Sequence, residues 1–123
     1  QPSNADAFNY RCGARAKVGE LQGAVADCDE ALRLKPNNAT AFDHRGLAYL
    51  KLGQPDQAIV NYDEALKLNP NSPAALFGRG VAKMMKGDAA ASNADFDVAK
   101  QIKPNIAEEF ASAGVRPQPS NTH

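Results

Sequence analysis

The chain has no net charge, because its 14 basic and 14 acidic residues cancel. This balance gives no field that would draw the protein to nucleic acid or to an anionic membrane surface. Blocks of like charge are absent, and so are basic stripes interleaved with aromatics. The longest apolar runs are a few residues, whereas a bilayer-spanning helix needs ~20. We therefore expect neither nucleic acid nor a membrane among the partners.

Residues that commonly carry chemistry are also scarce, with two histidines and two cysteines in the chain. His44 and His123 with two isolated cysteines do not make a four-ligand metal site. His44, next to Asp43, could in principle activate Cys12, but no third group to orient the histidine and no oxyanion donor can be recognised. The glycines of segment 78–80 fall inside a helical pattern and form no phosphate loop. We expect a protein that is not an enzyme and has no cofactor or metal.

What the chain does contain is one motif written three times with a period of 34 residues. Phe8, Phe42 and Leu76 are in register. Eight columns are identical in all three copies, and in the first copy they are Ala7, Arg11, Ala14, Gly19, Asp29, Ala31, Pro36 and Asn37. A fixed period of this length is typical of solenoids, in which each unit packs on the next.

Each copy of the motif predicts two helices. In the middle copy, Asn38 is a good cap before the first helix, and Gly53 favours its end. Pro55 suits the first turn of the second helix, which Pro70 ends. No sustained alternation of β-branched residues predicts a strand. We expect an all-α, right-handed superhelical solenoid of helix-turn-helix repeats.

These residues in these columns resemble the tetratricopeptide repeat (TPR) family. The middle copy matches the family pattern best, with Phe42, Gly46, Tyr49, Ala58, Tyr62, Ala65 and Pro70. The first copy is looser, because Cys12 replaces the glycine and Cys28 replaces the aromatic. The resemblance predicts repeats at 5–38, 39–72 and 73–106, preceded at 1–4 by the end of an upstream repeat or a linker, and followed by a capping helix at 105–114 and a disordered tail at 115–123.

The resemblance implies a concave groove lined by the first helices of successive repeats. The nine residues that we single out there as peptide-binding candidates are Asn9, Asp43, His44, Leu47, Leu50, Lys51, Phe77, Val81 and Met84. The same groove face is also expected to hold Asp6, Gly13, Ala16, Lys17, Thr40, Ala74 and Met85. The apolar share from the third repeat would suit one or two anchors of an extended peptide or partner helix. The alternative is that some of these residues only pack against the capping helix.

The function that the resemblance implies is protein interaction, with a peptide or partner protein held in the groove. One TPR subgroup grips peptide C-terminal carboxylates with basic side chains and asparagine. The matching columns here hold Asn9, Gly13, His44, Ala74 and Gly78, and the basic members are missing. This argues against a two-carboxylate clamp. The competing hypothesis is structural, with terminal repeat faces mediating self-association into a homo-oligomer.

Two further column sets allow two interpretations each. Arg11, Arg45 and Arg79 recur in step with Asp29, Asp63 and Asp97, which we interpret as pairing between helices and not as a ladder for acidic ligands. Cys12 and Cys28 occupy core columns of the first repeat, which favours two buried thiols. A disulfide is the alternative, and the Cα separation decides between them.

Overall fold

In the computed structural model, which describes residues 4–117, the chain forms seven α-helices and no strand within that range. The helices are α1 (Asn4–Val18), α2 (Leu21–Leu34), α3 (Ala39–Lys51), α4 (Pro55–Leu68), α5 (Pro73–Met85), α6 (Ala89–Ile102) and α7 (Ile106–Ser112). Helices α1 and α2 form the first repeat, α3 and α4 the middle repeat, and α5 and α6 the third. Neighbouring repeats pack α2 against α3 and α4 against α5. The predicted right-handed all-α solenoid is confirmed.

The helix ends follow the cap and turn residues of the sequence. The side chains of Asn38 and Ser72 accept hydrogen bonds from the backbone N–H groups of Ala41 and Ala75, as the predicted caps require. Gly53 has a φ of +74°, which lets the chain reverse between α3 and α4 at no steric cost. No helix among residues 4–117 combines the length and the apolar character needed to cross a membrane.

One apolar core runs through all three repeats. Small side chains bring the helices close together, and the alanines that are fully buried include Ala24, Ala31, Ala41, Ala48, Ala58, Ala65, Ala75, Ala82 and Ala99. Tyr62, Phe77 and Phe96 fill the space between them. Because the same columns are small or large in successive repeats, each repeat presents the next with a similar surface.

The two helices of a repeat cross where a glycine meets an aromatic ring. A Cβ placed on Gly46 would lie 2.8 Å from Cζ of Tyr62, and one on Gly80 would lie 2.7 Å from Cε1 of Phe96. Glycine at this column therefore provides the space that the ring occupies. The structural role of Gly46 is thus to admit the ring of Tyr62 at the crossing.

At the same crossing in the first repeat, Cys12 and Cys28 form a disulfide with their Cα atoms 5.4 Å apart. The expectation of two buried thiols is therefore wrong. The reason is geometric, since these two columns already touch in the other repeats and bring the two sulfurs within bonding distance. With Cys12 oxidised, His44 has no thiol to activate.

The repeated arginines link helices within and between repeats. Arg45 donates from Nη1 to Asp29 of the preceding repeat at 2.8 Å, and Arg79 donates likewise to Asp63 at 2.9 Å. The predicted arginine–aspartate pairing is confirmed for these two. The three arginines also donate hydrogen bonds to a second set of equivalent positions, the column of residues 27, 61 and 95. Arg11 binds Asp27, Arg45 binds Asn61, and Arg79 binds Asp95.

The buried members of that second column depend on these arginines. Asp27 is only 4% exposed, and hydrogen bonds from Arg11, with help from Arg15, hold its pKa below the usual range. At Asp95 burial opposes ionisation, but bonds from Arg79 and Lys83 outweigh it and lower the pKa. Both carboxylates are thus ionised and paired at neutral pH.

The ends of the described chain differ from the expected boundaries. Asn4, which we expected in a preceding unit or linker, is the first residue of α1. Val115, which we expected in a disordered tail, is buried, and its N–H donates to the carbonyl of Phe110 at 2.8 Å. The tail expectation is wrong at Val115 because this apolar side chain covers the end of α7. The remaining expectations for 1–3 and 118–123 lie outside the described residues.

Candidate binding groove

The first helices of the repeats lie side by side, with α1 against α3 and α3 against α5. Helix α7 packs on α5 and α6 and ends near α3. Between these elements lies a cavity of about 490 Å³. It is lined by Lys17, Thr40, Asp43, His44, Leu47, Tyr62, Ala74, Glu109, Phe110, Ser112 and Ala113. Asp43, His44 and Leu47 are the three of the nine predicted groove residues that line it.

A fourth predicted residue, Asn9, fixes the histidine in the cavity wall. Its Oδ1 lies 2.8 Å from Nδ1 of His44, and its Nδ2 donates to Oγ1 of Thr40 at 2.8 Å. Because an amide oxygen only accepts, Nδ1 of His44 carries the proton and Nε2 is the free acceptor of the neutral ring. Burial lowers the pKa of His44, with the Asn9 bond opposing, so the ring is neutral at pH 7.

The apolar residues that were predicted for the groove are mostly covered. Phe77 is 1% exposed and packs its ring against Phe96 and Phe110, with centroids 4.7 and 4.8 Å apart. Val81 and Leu50 are also buried, and Met84 is half-buried against the core. Contact with α7 thus explains the burial of Phe77, as the alternative interpretation predicted, in which some groove residues only pack against the capping helix.

Lys51, also predicted for the groove, does not line the cavity but joins the ends of two helices. Its Nζ donates to the carbonyl oxygens of Ala16 and Lys17 at the end of α1, at 2.9 and 3.0 Å. The same atom donates to the carbonyl of Ala113 at 2.6 Å, just after α7. Carbonyl groups at helix C-termini have no intrahelical partner and carry partial negative charge, so one ammonium satisfies the ends of two helices.

Two polar atoms of the cavity wall are buried without a hydrogen-bond partner among the described residues, Oδ1 of Asp43 and Oη of Tyr62. The other oxygen of Asp43 has a long contact of 3.5 Å with Oγ of Ser72. Burial raises the pKa of the Asp43 carboxyl to about 7, with Ser72 opposing. Burial, and then the charge of Asp43, raise the pKa of Tyr62 well above its usual range, so the phenol keeps its proton.

The sequence model of the TPR repeat matches residues 14–53 and 46–87, more than half of the chain. This protein belongs to the tetratricopeptide repeat family. No curated protein matches the chain significantly in sequence.

Solved structures, two of them TPR domains by name, are similar to most of the chain. MamA is 26% identical with a TM-score of 0.72, over 85% of this chain and 61% of MamA, so the chain spans less than two thirds of that protein. The Arabidopsis OM64 TPR domain is 23% identical with a TM-score of 0.79, covering 91% of this chain and 95% of the domain. The first TPR of Spaghetti (RPAP3), bound to an HSP90 peptide, is 19% identical with a TM-score of 0.78 and coverages of 90% and 90%. At these two lower identities the likeness concerns the fold.

The cavity-lining residues that the sequence did not predict fall into two groups. Tyr62 occupies the large aromatic column of the TPR pattern, which marks it as core, and nothing in that pattern indicates that its hydroxyl reaches the groove. Residues 109–113 belong to α7, which lies beyond the third repeat. A signal for them existed in Phe110, which keeps the Phe42 column and so predicts a helix packed on the third repeat.

Proposed function

We propose that this TPR protein is a non-enzymatic interaction module that binds a peptide segment of a partner protein in its concave groove. The observation that carries this proposal is the cavity of about 490 Å³, which lies where successive first helices meet and has both polar and apolar walls. Binding pockets have this composition, with apolar walls holding the ligand and a few polar groups orienting it.

A TPR of the same fold that is bound to a peptide supports the proposal. The first TPR of Spaghetti holds an HSP90 peptide, although this chain lacks the basic residues of a carboxylate clamp. The ligand here therefore differs in its chemistry from a C-terminal carboxylate. Leu47, Ala74 and Phe110 supply apolar walls, whereas Asp43 and His44 supply polar ones.

A random peptide library displayed on phage, selected against the purified protein, tests the proposal. The Ser112→Trp variant adds bulk at the exposed rim of the cavity and is expected to weaken selected peptides at least tenfold. Val60→Trp is the matched control, because Val60 is 61% exposed on α4 and does not line the cavity. Failure to select any peptide, or equal binding by both variants, would contradict the groove as the binding site.

The competing hypothesis is self-association, and exposed apolar residues on α1 favour it. Tyr10 is 81% exposed and Val18 is 72% exposed, and both flank a second cavity of about 380 Å³. Sedimentation equilibrium separates the hypotheses. If the protein is an oligomer that Tyr10→Ser with Val18→Ser converts to a monomer, α1 is an association face.

A further inference from the structure

The cavity wall holds more hydrogen-bond acceptors than the protein satisfies. Oδ1 of Asp43 and Oη of Tyr62 are both buried, and Tyr62 as a whole is only 1% exposed. Buried polar atoms are nearly always paired, since leaving one unpaired costs the full penalty of removing it from water. Two such atoms on residues of one cavity wall mark the place where hydrogen-bond donors of a ligand would complete their bonding in place of water.

The surrounding residues make room for the tyrosine hydroxyl. A Cβ on Gly78 would lie 2.5 Å from Oη of Tyr62 and 2.2 Å from its Cζ. The same column holds Tyr10 in the first repeat and His44 in the middle repeat, so the third repeat is the one that leaves this space open. The absence of a side chain at Gly78 lets Tyr62 extend from the core to the cavity.

Asp43 has no counterion among the described residues. None of the ion pairs formed within residues 4–117 includes Asp43, whereas Asp27 and Asp95 each bind two cations. The neighbouring His44 is neutral, and its Nδ1 proton is committed to Asn9. Burial raises the pKa of Asp43 to about 7, so a cation with hydrogen-bond donors is what would stabilise the ionised carboxylate here, whereas an anionic ligand would be repelled by it.

We propose that the cavity receives the basic side chain, lysine or arginine, of a bound peptide, with Oδ1 of Asp43 and Oη of Tyr62 accepting hydrogen bonds from its charged group. Leu47, Ala74 and Phe110 contact the aliphatic stem, which long basic side chains bury readily. This inference rests on the proposed peptide-binding function, and it assigns that groove a ligand of the opposite charge to a carboxylate.

Small cations test the site independently of any peptide. Binding of n-butylguanidinium and n-pentylammonium is followed by NMR shifts of the His44 and Tyr62 rings, with uncharged n-butylurea and hexanol as matched probes. We expect the cations alone to bind. Asp43→Asn should weaken cation binding at least tenfold, and Tyr62→Phe should weaken it severalfold.

Matched variants show whether the loss is specific to the cavity. Asp97→Asn removes an exposed carboxylate on α6, and Tyr10→Phe removes an exposed hydroxyl on α1, so both should bind the cations as the unmodified protein does. The two cavity variants, Asp43→Asn and Tyr62→Phe, conserve the shape of the side chain, and circular dichroism reports whether they fold. Equal affinity for the charged and uncharged probes would overturn the inference.

Peptides selected in the library experiment give the second test. We expect a lysine or arginine in each groove-binding sequence, and replacement by norleucine or citrulline should reduce affinity at least tenfold in the unmodified protein but not in Asp43→Asn. If groove-binding peptides need no basic residue, the inference fails while the proposed function stands. If no peptide binds but the small cations do so through Asp43, the cation site stands and the peptide-binding function fails.

Discussion

Where the two helices of a repeat cross, the first repeat has the Cys12–Cys28 disulfide and the middle repeat has Gly46 packed against the ring of Tyr62. The third repeat follows the middle one, with Gly80 against Phe96. Both members of the pair change together, from glycine and an aromatic to two cysteines. The crossing is therefore a unit that can be closed either by a ring filling a gap or by a covalent bond.

The two solutions differ in what they offer the groove. A disulfide ends inside the crossing, whereas Tyr62 continues past it and is one of the residues that line the cavity, with its hydroxyl buried in the wall. Phe96 fills the same column in the third repeat but has no polar atom. The middle repeat is thus the one in which the core residue at the crossing also contributes to the candidate site.

The largest expected effect comes from blocking the ring-filled crossing. Gly46→Leu adds a side chain where a Cβ alone would lie 2.8 Å from Cζ of Tyr62, so either the ring or the helices must move. We expect a loss of about 3 kcal/mol in the free energy of unfolding. Chemical denaturation measures it, with Ala94→Leu on the exposed face of α6 as the control. Similar stabilities of the two variants would contradict the described crossing.

Removing the covalent crossing should have a slightly smaller and more local effect. The disulfide closes a loop between positions separated by 16 residues, and loops of this size are stabilised by about 2–3 kcal/mol. In Cys12→Ser with Cys28→Ser, hydrogen exchange should accelerate in α1 and α2 and much less in α5 and α6, because repeats contact only their neighbours.

A converted crossing sharpens the same comparison. Cys12→Gly with Cys28→Phe installs the pair of the third repeat, Gly80 with Phe96, in the first repeat, and it should recover part of the lost protection. A tyrosine is not used, because His44 occupies the column that Gly78 leaves open for the hydroxyl of Tyr62. Protection of α1 and α2 that survives removal of the disulfide unchanged would show that the bond does not stabilise this repeat.

Asp43 in the middle repeat should lower the stability of the protein in a pH-dependent way. The folded-state pKa of Asp43 is raised from 3.8 to about 7, so the folded protein holds this proton while the unfolded chain has lost it. Stability from this group is present below about pH 4 and is lost as the pH rises through 7. Asp43→Asn should therefore match the unmodified protein at about pH 4 and exceed its stability by a few kcal/mol at pH 8.

Urea denaturation across this pH range checks the prediction, with Asp97→Asn as the control that should show no such trend. The other titratable groups around the cavity are Lys17, His44, Tyr62 and Glu109. Of these, His44 titrates below its usual range and Tyr62 far above it, so neither accounts for a transition near pH 7. A stability difference that is independent of pH would contradict the burial of an ionised Asp43.

The smallest expected effect concerns the arginine partners. Arg45 bonds to the amide of Asn61 at 2.7 Å, whereas Arg11 and Arg79 bond to carboxylates in the same column. Asn61→Asp would give Arg45 a charged partner but lose the bond from Nδ2 of Asn61 to the carbonyl of Gln57. We expect a stability change within about 1 kcal/mol at pH 7, measured by thermal unfolding. A large loss would mean that the amide bond to the backbone dominates this position.

Much of the fold was readable from the sequence because the period repeats each local signal three times. The caps Asn38 and Ser72 and the reversal at Gly53 follow from single residues with one dominant preference. The disulfide was predicted only as the less favoured alternative, because each cysteine was treated as a substitution in its own column. The signal lay in the pair, since both cysteines replace residues that touch each other in the other repeats.

The site was less predictable, because it depends on contacts that the period does not encode. The pairing of the arginines with Asp27, Asn61 and Asp95 was not predicted, because this column holds an amide in one repeat and carboxylates in the other two. Phe77 was predicted as a groove residue, but a truncated fourth unit covers it, and periodicity does not give the position of that unit. The nine predicted groove residues stay a prediction as a binding site, of which Asp43, His44 and Leu47 line the cavity.

The lysine that joins the ends of α1 and α7 has a consequence for how this stack comes apart. A linear array of repeats unfolds from its ends, because a terminal repeat is held by contacts with only one neighbouring repeat. Lys51, in the middle repeat, links the end of α1 to Ala113, which lies 62 residues after Lys51 in the sequence. Fraying of either helix end removes an acceptor from the same ammonium group, so the two ends of the stack are coupled by roughly the strength of one hydrogen bond.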